Sequence, residues 1–287
     1  MFVTAFPGHC RFCNTPLLTL SRIPVCDACV DAIQALDEPV CAVCGERLLR
    51  PVAYDSTSED AAELPRCTEC LRMEPPFQRA LAYGSYEGGL RELIHLLKYE
   101  RVRPAAAVLG RMLGEAVTEL VPEFSSPGRT EGGEFPVLVP VPLHESKERQ
   151  RGFNQSELIA RAMLKSLAGT PLTVNASALR RNRATESQTG LSRGQRRANL
   201  RGAFAVVRSN EVAGRDILIV DDVYTTGTTV AECARVLRRA GANRIWVATV
   251  ARVLKVDSTR APSTQLESEL DRRSTIADAP LARAAQA

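Results

Sequence analysis

Residues 216–230 read D-I-L-I-V-D-D-V-Y-T-T-G-T-T-V. Ile217 to Val220 form a continuous apolar run, the pattern of a strand buried on both faces in a parallel sheet. Asp221 and Asp222 follow at once. Thr225, Thr226, Gly227, Thr228 and Thr229 then make a hydroxyl-rich turn. Beyond it Val230, Cys233, Val236, Leu237 and Ala240 recur at helical spacing up to Gly241, a C-terminal stop. The order is strand, acidic pair, turn, helix, and it predicts an α/β fold with a mostly parallel sheet.

That order carries chemistry. A turn feeding a helix N-terminus presents unpaired backbone N–H groups and a positive dipole end, which suits a phosphate. Threonine hydroxyls add donors, and Gly227 lets the backbone curl round the anion. The acidic pair sits at the carboxyl edge of the strand, where open α/β sheets place ligands. Two adjacent carboxylates beside a phosphate site suit a vicinal diol, so the stretch reads as a sugar 5-phosphate site. It is not a P-loop, since no Lys follows Gly227. With a single glycine it is not a dinucleotide fingerprint either.

At 287 residues, 45% of them apolar and 24% charged, the chain has the composition of a globular protein with room for two domains. A net charge of +4 is too mild to indicate nucleic acid by itself, and 5% aromatics advertise no base-stacking platform. No apolar stretch approaches the ~18 residues a membrane span needs. The N-terminus has neither a basic region nor an apolar core of a secretion signal, so the expected location is the cytoplasm. In that setting the nine cysteines are informative. Eight form four C-x-x-C pairs: Cys10/Cys13, Cys26/Cys29, Cys41/Cys44 and Cys67/Cys70. Two such pairs complete a tetrahedral thiolate site, so the pattern predicts two structural zinc ions and no disulfides. Sequential and interleaved pairings both remain open. Residues 1–75 resemble a double zinc ribbon, with 51–66 as a polar loop.

The remaining chain supplies the partners of the central stretch. Leu90, Leu93, Ile94 and Leu97 mark an amphipathic helix, with His95 and Lys98 on or near its polar side. A second helix spans 105–121. Residues 122–135 read as a surface insertion. Residues 136–141 are a buried strand whose prolines favour an end or an edge. The following loop carries His144, Lys147, Arg149 and Arg151, at the same sheet edge as Asp221, where cations suit a leaving diphosphate. Asn154 and Glu157 then open a helix. Seven arginines stand between Arg180 and Arg201 against one acid, Glu186. They make a polyanion-binding strip, a mobile flap over a phosphate site, or a solvated loop. Residues 244–251 complete a β-α-β unit, and 255–287 read as a disordered tail. The expected organisation is a zinc-ribbon domain over 1–75, an α/β domain over 76–254 and the tail.

The D-D-V-Y-T-T-G-T-T block resembles the ribose-phosphate signature of type I phosphoribosyltransferases. Together with L-K-Y at 97–99, V-P-L-H at 141–144, R-G-F-N-Q-S at 151–156 and G-A-F at 202–204, it makes residues 8–253 resemble the ComF family. The array Arg183, Thr185, Gln188, Leu191, Arg193, Arg196 and Asn199 adds to that likeness. The resemblance implies a type I phosphoribosyltransferase fold behind the zinc ribbons, and binding of 5-phosphoribosyl 1-diphosphate with magnesium. It implies that Thr225 to Thr229 hold the 5-phosphate and that Asp221 and Asp222, as the catalytic pair, hold the ribose hydroxyls. Lys147, Arg149, Arg151 and Asn154 would neighbour the diphosphate. Arg183 and Gln188 fall where the family has its flap. It implies a link to DNA uptake in natural competence. Two functions follow: a phosphoribosyltransferase with an unidentified acceptor, or a donor-binding scaffold or sensor that contacts single-stranded DNA or uptake proteins.

Overall fold

A computed structural model describes residues 8–17, 21–48, 64–124, 135–183 and 193–254. Two short helices, α1 (Asp27–Asp31) and α2 (Thr68–Arg72), belong to the cysteine-rich part. The α/β part then runs β1 (Arg79–Ser85), α3 (Gly88–Lys98), α4 (Ala105–Val117), α5 (Val121–Phe124) and β2 (Val137–Pro140). It continues with α6 (Glu145–Arg151), α7 (Gln155–Ser166), β3 (Thr173–Val174), β4 (Leu179–Arg181) and α8 (Arg193–Leu200). It ends with β5 (Phe204–Val206), β6 (Ile217–Tyr224), α9 (Thr228–Arg239) and β7 (Ile245–Arg252).

Five strands form an all-parallel sheet in the order β1-β7-β6-β2-β3, and β4 and β5 form a separate antiparallel pair. The apolar run at 217–220 lies at the middle of the sheet, as its lack of alternation requires. Leu218 and Val220 enter one core, with Leu138, Trp246 and the apolar faces of α3, α4 and α7. Ile217 and Ile219 enter the other, with Val139, Val247, α9 and the β4–β5 unit. Successive side chains of a strand point to opposite faces, so one run supplies both cores.

The two cysteine-rich ribbons straddle β1, the outer strand. Cys10, Ile23, Val25 and Val30 join the first core, and Cys41, Val43, Cys44 and Cys70 join the second. Both also hydrogen-bond to β1. Ala80 N–H donates to Val43 O at 2.7 Å, and Leu36 N–H donates to Tyr83 O at 2.7 Å. The exposed edge that an outer strand would present is thereby covered.

Four expectations change. Strand β6 does not stop at Val220. It pairs with β7 through Asp221, Val223 and Tyr224, so the acidic pair lies within the strand. The cationic loop after β2 is largely helix α6. The 122–135 insertion starts later, because α5 buries Phe124 edge-on to Trp246 at 5.2 Å; residues 125–134 lie outside the described set. Strand β2 is not an edge strand, although Pro140 does end it. The tail at 255–287 and most of the 51–66 loop also lie outside the described residues. Among those described, no helix is long and apolar enough to cross a membrane.

Helices α4 and α7 pack at contact distance through glycines. A Cβ on Gly110 would stand 2.4 Å from Ala162 Cβ and 2.7 Å from the Met163 backbone nitrogen. Alanine normally favours a helix over glycine by about 1 kcal/mol. Here Gly110→Ala should instead lower stability by about 1–3 kcal/mol, because the obstacle is backbone and cannot yield. Denaturant unfolding of the purified variant checks this, and a stabilised variant would contradict the packing.

Candidate functional site

The acidic pair lies in the last half of the central strand, inside the protein. Asp221 and Asp222 are 8% and 4% exposed. Asp221 Oδ1 accepts from Ser156 Oγ–H at 2.9 Å and from the Asp222 N–H at 2.9 Å. Asp222 Oδ1 accepts from the Val223 N–H at 2.9 Å, and Oδ2 pairs with the Lys98 ammonium. Burial pushes the Asp221 carboxyl up from 3.8 to about 6, against the opposing pull of Lys98, Ser156 and Arg181. Burial likewise pulls Lys98 down from 10.5 to about 8; Asp221 opposes this, while the charges of Arg151 and Lys147 add to it.

The turn follows directly. Gly227 has φ +72° and is the N-cap residue of α9, whose first-turn N–H groups have no acceptor within the helix. A Cβ there would lie 2.1 Å from Tyr224 Oη, so only glycine fits above that hydroxyl. Thr226 and Thr228 share a hydroxyl hydrogen bond at 2.8 Å. Thr225 is exposed, and Thr228 and Thr229 are half-buried.

The other sequence-predicted residues divide. Asn154 caps α7: its Oδ1 accepts from the Ser156 N–H at 3.0 Å and its amide donates to Val141 O at 3.0 Å. Its polar atoms are thus engaged in setting Ser156 against Asp221. Arg151 is half-buried, donates to Gln155, and lies over the Tyr99 ring at 5.8 Å. Lys147 is exposed, and Arg149 is exposed and paired with Glu145 at 3.2 Å within α6. Arg183 donates to Asn199 O at 2.6 Å, tying the β4 side to α8. Gln188 lies outside the described residues. Three contributors were not singled out from sequence: Ser156, Arg181 and the ion-pair role of Lys98. Ser156 and Lys98 stand in the quoted R-G-F-N-Q-S and L-K-Y motifs, whereas Arg181 had only its place in the arginine run as a signal.

The cysteines group sequentially, which settles the pairing. Cys10, Cys13, Cys26 and Cys29 form one cluster, and Cys41, Cys44, Cys67 and Cys70 the other, with all sulfurs in each within 4.8 Å of one another. The 3.7 Å between Cys13 and Cys26 and the 3.6 Å between Cys44 and Cys67 match the about 3.8 Å sulfur separation of a tetrahedral zinc site. In each cluster a hairpin supplies the first pair, marked by the bridges His9↔Pro16 and Val40↔Arg47. The second pair opens a short helix, with Cys26 and Cys67 as N-cap residues. This repeated unit is a double zinc ribbon, and its donor set suits zinc.

Between the second cluster and the turn lies a cavity of about 280 Å³. Cys44, Cys67 and Cys70 form one wall, and Thr225 to Thr228 the other.

The phosphoribosyl transferase domain family matches residues 154–277, which span the acidic pair and the turn. DNA utilization protein YhgH of Escherichia coli (strain K12) is 36% identical over 249 residues, covering 86% of this chain and 98% of that protein. Competence protein F of Haemophilus influenzae is 30% identical over 246 residues, covering 85% and 95%. Competence protein ComFC of Bacillus subtilis is 24% identical over 221 residues, covering 76% and 79%. With its ribbons, its parallel sheet and relatives matched over nearly their whole length, the chain belongs to the ComF family of phosphoribosyltransferase-like competence proteins.

Proposed function

We propose that the chain binds 5-phosphoribosyl 1-diphosphate and transfers its phosphoribosyl group to an acceptor. One observation carries this reading. Asp221, Asp222 and the turn at 225–229 lie at one strand end and one helix N-terminus, within the segment matched by the phosphoribosyl transferase family. In this reading the first-turn N–H groups of α9 and the threonine hydroxyls hold the 5-phosphate. Asp221 and Asp222 accept from the ribose hydroxyls. Lys98, Lys147, Arg151 and Arg181 face the diphosphate, with Arg149 and Arg183 nearer the rim; Gln188, assigned to the same ligand by the family resemblance, lies outside the described residues.

Catalysis would be mostly electrostatic. Positive charge builds on the ribose as the diphosphate leaves, so buried carboxylates on one side and cations on the other favour the transition state. The buried carboxylates already hold Lys98 and Ser156, so magnesium would be held chiefly by the diphosphate and water, and would neutralise its charge. Zinc in both ribbons is structural, since four thiolates leave no open position.

The names of the relatives favour a second reading, because they speak of DNA utilization and competence and not of a reaction. In it the donor pocket serves as a sensor, and the ribbons or the arginine segment contact single-stranded DNA or uptake proteins. Calorimetric titration with the donor and magnesium, alongside diphosphate release with candidate acceptors, separates the two. Binding with release supports the enzyme, binding without release across acceptors supports the sensor, and no binding removes both.

Two outcomes follow from the buried charges. Replacing the pair, Asp221→Asn with Asp222→Asn, should weaken donor binding by about 100-fold or more, since hydrogen bonds to charged acceptors contribute about 1.5–3 kcal/mol each. In the native protein, binding should strengthen as pH rises through about 6, where Asp221 ionises, and weaken above about 8, where Lys98 loses its proton. A flat profile would exclude both groups from binding.

Asp221→Asn alone should stabilise the ligand-free protein. A carboxyl whose pKa is raised on folding binds protons more tightly folded than unfolded. Stability therefore falls as pH rises from 3.8 toward about 6, and the loss persists above that. The asparagine variant lacks this loss and should be more stable by about 1–3 kcal/mol near neutral pH, because each tenfold change in proton affinity corresponds to about 1.4 kcal/mol. The advantage should shrink toward pH ~5. Urea unfolding at both pH values measures it.

A further inference from the structure

The second four-cysteine cluster touches the strand that feeds the turn through one side chain. Arg252, 4% exposed, ends β7 and is the register partner of Tyr224, the last residue of β6. Its guanidinium donates to Cys44 O and, at 3.0 Å, to Glu46 Oε2; it also reaches Cys44 Sγ at 3.8 Å. Its Cζ also stands over the Tyr224 ring, 4.2 Å from the ring centre. The Tyr224 hydroxyl in turn sits under Gly227, close enough that no Cβ fits between them. A contiguous line therefore runs from a cysteine ligand through Arg252 and Tyr224 to the glycine that shapes the turn. The cavity between cluster and turn has Arg252 and Tyr224 in its lining, so its width depends on where both are held.

Among the described residues the first cluster shows no such line to the turn; the polar contact of its hairpin, Arg11 with Glu100 at 3.0 Å, is exposed and runs to the segment after α3. Its surroundings are Phe12, Ile33 and the start of α3, in the core on the opposite face of the sheet. The two clusters repeat one local structure but meet different neighbours.

We infer that Arg252 and Tyr224 are positioning residues that couple the second four-cysteine cluster to the phosphate-binding turn, so that a metal in that cluster and a phosphate at the turn strengthen each other's binding. The inference rests on the reading of the turn as a phosphate site. A metal fixes the Cys41–Gly45 hairpin and with it the carbonyl and sulfur that orient Arg252. Oriented Arg252 holds the Tyr224 ring, and the ring holds Gly227 in the left-handed conformation that aims the first N–H groups of α9. All three acceptors of Arg252 lie in the hairpin closed by the Val40↔Arg47 bridge, so with the hairpin loosened Arg252 loses its anchor and the turn loses its support. Linkage is reciprocal in binding free energy, so an anion that locks the turn must also tighten metal binding in this cluster, and the tighter binding is read here as slower metal loss.

The test uses the full zinc-loaded chain and a zinc-selective chromogenic chelator. Zinc release is followed with and without 5-phosphoribosyl 1-diphosphate and magnesium, and donor binding to the same sample is checked by calorimetry. The expected result is two release phases, one of them slowed about tenfold by the donor. The slowed phase should persist in Cys13→Ser, which damages only the first cluster. Arg252→Lys and Tyr224→Phe should keep both zinc ions yet lose most of the slowing, with weaker donor binding. A merely structural role for these residues would lower thermal stability without making zinc release respond to the donor. Donor binding with unchanged release, or slowing confined to the first cluster, overturns the coupling and leaves the site reading intact. Absence of donor binding overturns the site reading and the coupling with it.

Discussion

Two carboxylates stand buried in a largely apolar sheet, and much of the surrounding structure answers them. A buried charge is tolerated only when it is paired and hydrogen-bonded. The end of α3 delivers Lys98 to Asp222, and the start of α7 delivers the Ser156 hydroxyl to Asp221. Each delivery needs its own support. Asn154 caps α7 and ties it to the end of β2. Arg101 and Arg103 reach from the loop after α3 to Gln150 O and Gly152 O, fixing the end of α6 beside that cap.

The opposite end of the same strand shows what a purely structural carboxylate looks like. Asp216 precedes β6 and accepts from Asn243, from the Arg244 backbone N–H and from the Arg244 guanidinium, at distances of 2.7 to 3.1 Å. Both of its oxygens are taken: Oδ2 by the guanidinium fork, and Oδ1 by the Asn243 amide and the Arg244 backbone N–H. Asp221 has instead one serine and one backbone N–H on a single oxygen, and its carboxyl is held up near neutrality. That unequal treatment along one strand is what the proposed binding role of Asp221 calls for, and what a structural carboxylate such as Asp216 does not need.

Much of the fold could be read from the chain because local pattern and tertiary role agree there. The unbroken run Ile217–Val220 reads as a strand covered on both faces and lies at the centre of the sheet, and the four C-x-x-C pairs read as two zinc sites and form two four-cysteine clusters. The misreadings arise where tertiary contacts override local signal. Asp221 and Asp222 look like the end of a strand by polarity, but Ala251 and Arg252 of β7 continue the pairing past them. Helix α6, E-S-K-E-R-Q-R, has no buried residue and hence no apolar period. It is set by the His144 cap and the arginines gripping its far end. Phe124 lies in a stretch that turns polar, and only its contact with Trp246 shows that it belongs to the core. At the site, the acidic pair and the turn were legible because they are contiguous. Lys98, Ser156 and Arg181 were not, because each arrives from a different element.

The ribbons meet a related constraint. Covering β1 needs only backbone donors and acceptors, which either ribbon supplies. Nothing in edge protection calls for a buried arginine reaching from β7 into the second hairpin. Removing a guanidinium from water is costly, and an apolar side chain at 252 would fill the space with less penalty. Arg252 nevertheless has three acceptors and an aromatic face arranged round it, drawn from both the ribbon and the strand that feeds the turn. An arrangement of that cost is intelligible where the position of the turn depends on it. The first ribbon, packed on the sheet through apolar side chains such as Phe12 and Ile33, shows that a ribbon can be anchored here without any such charge.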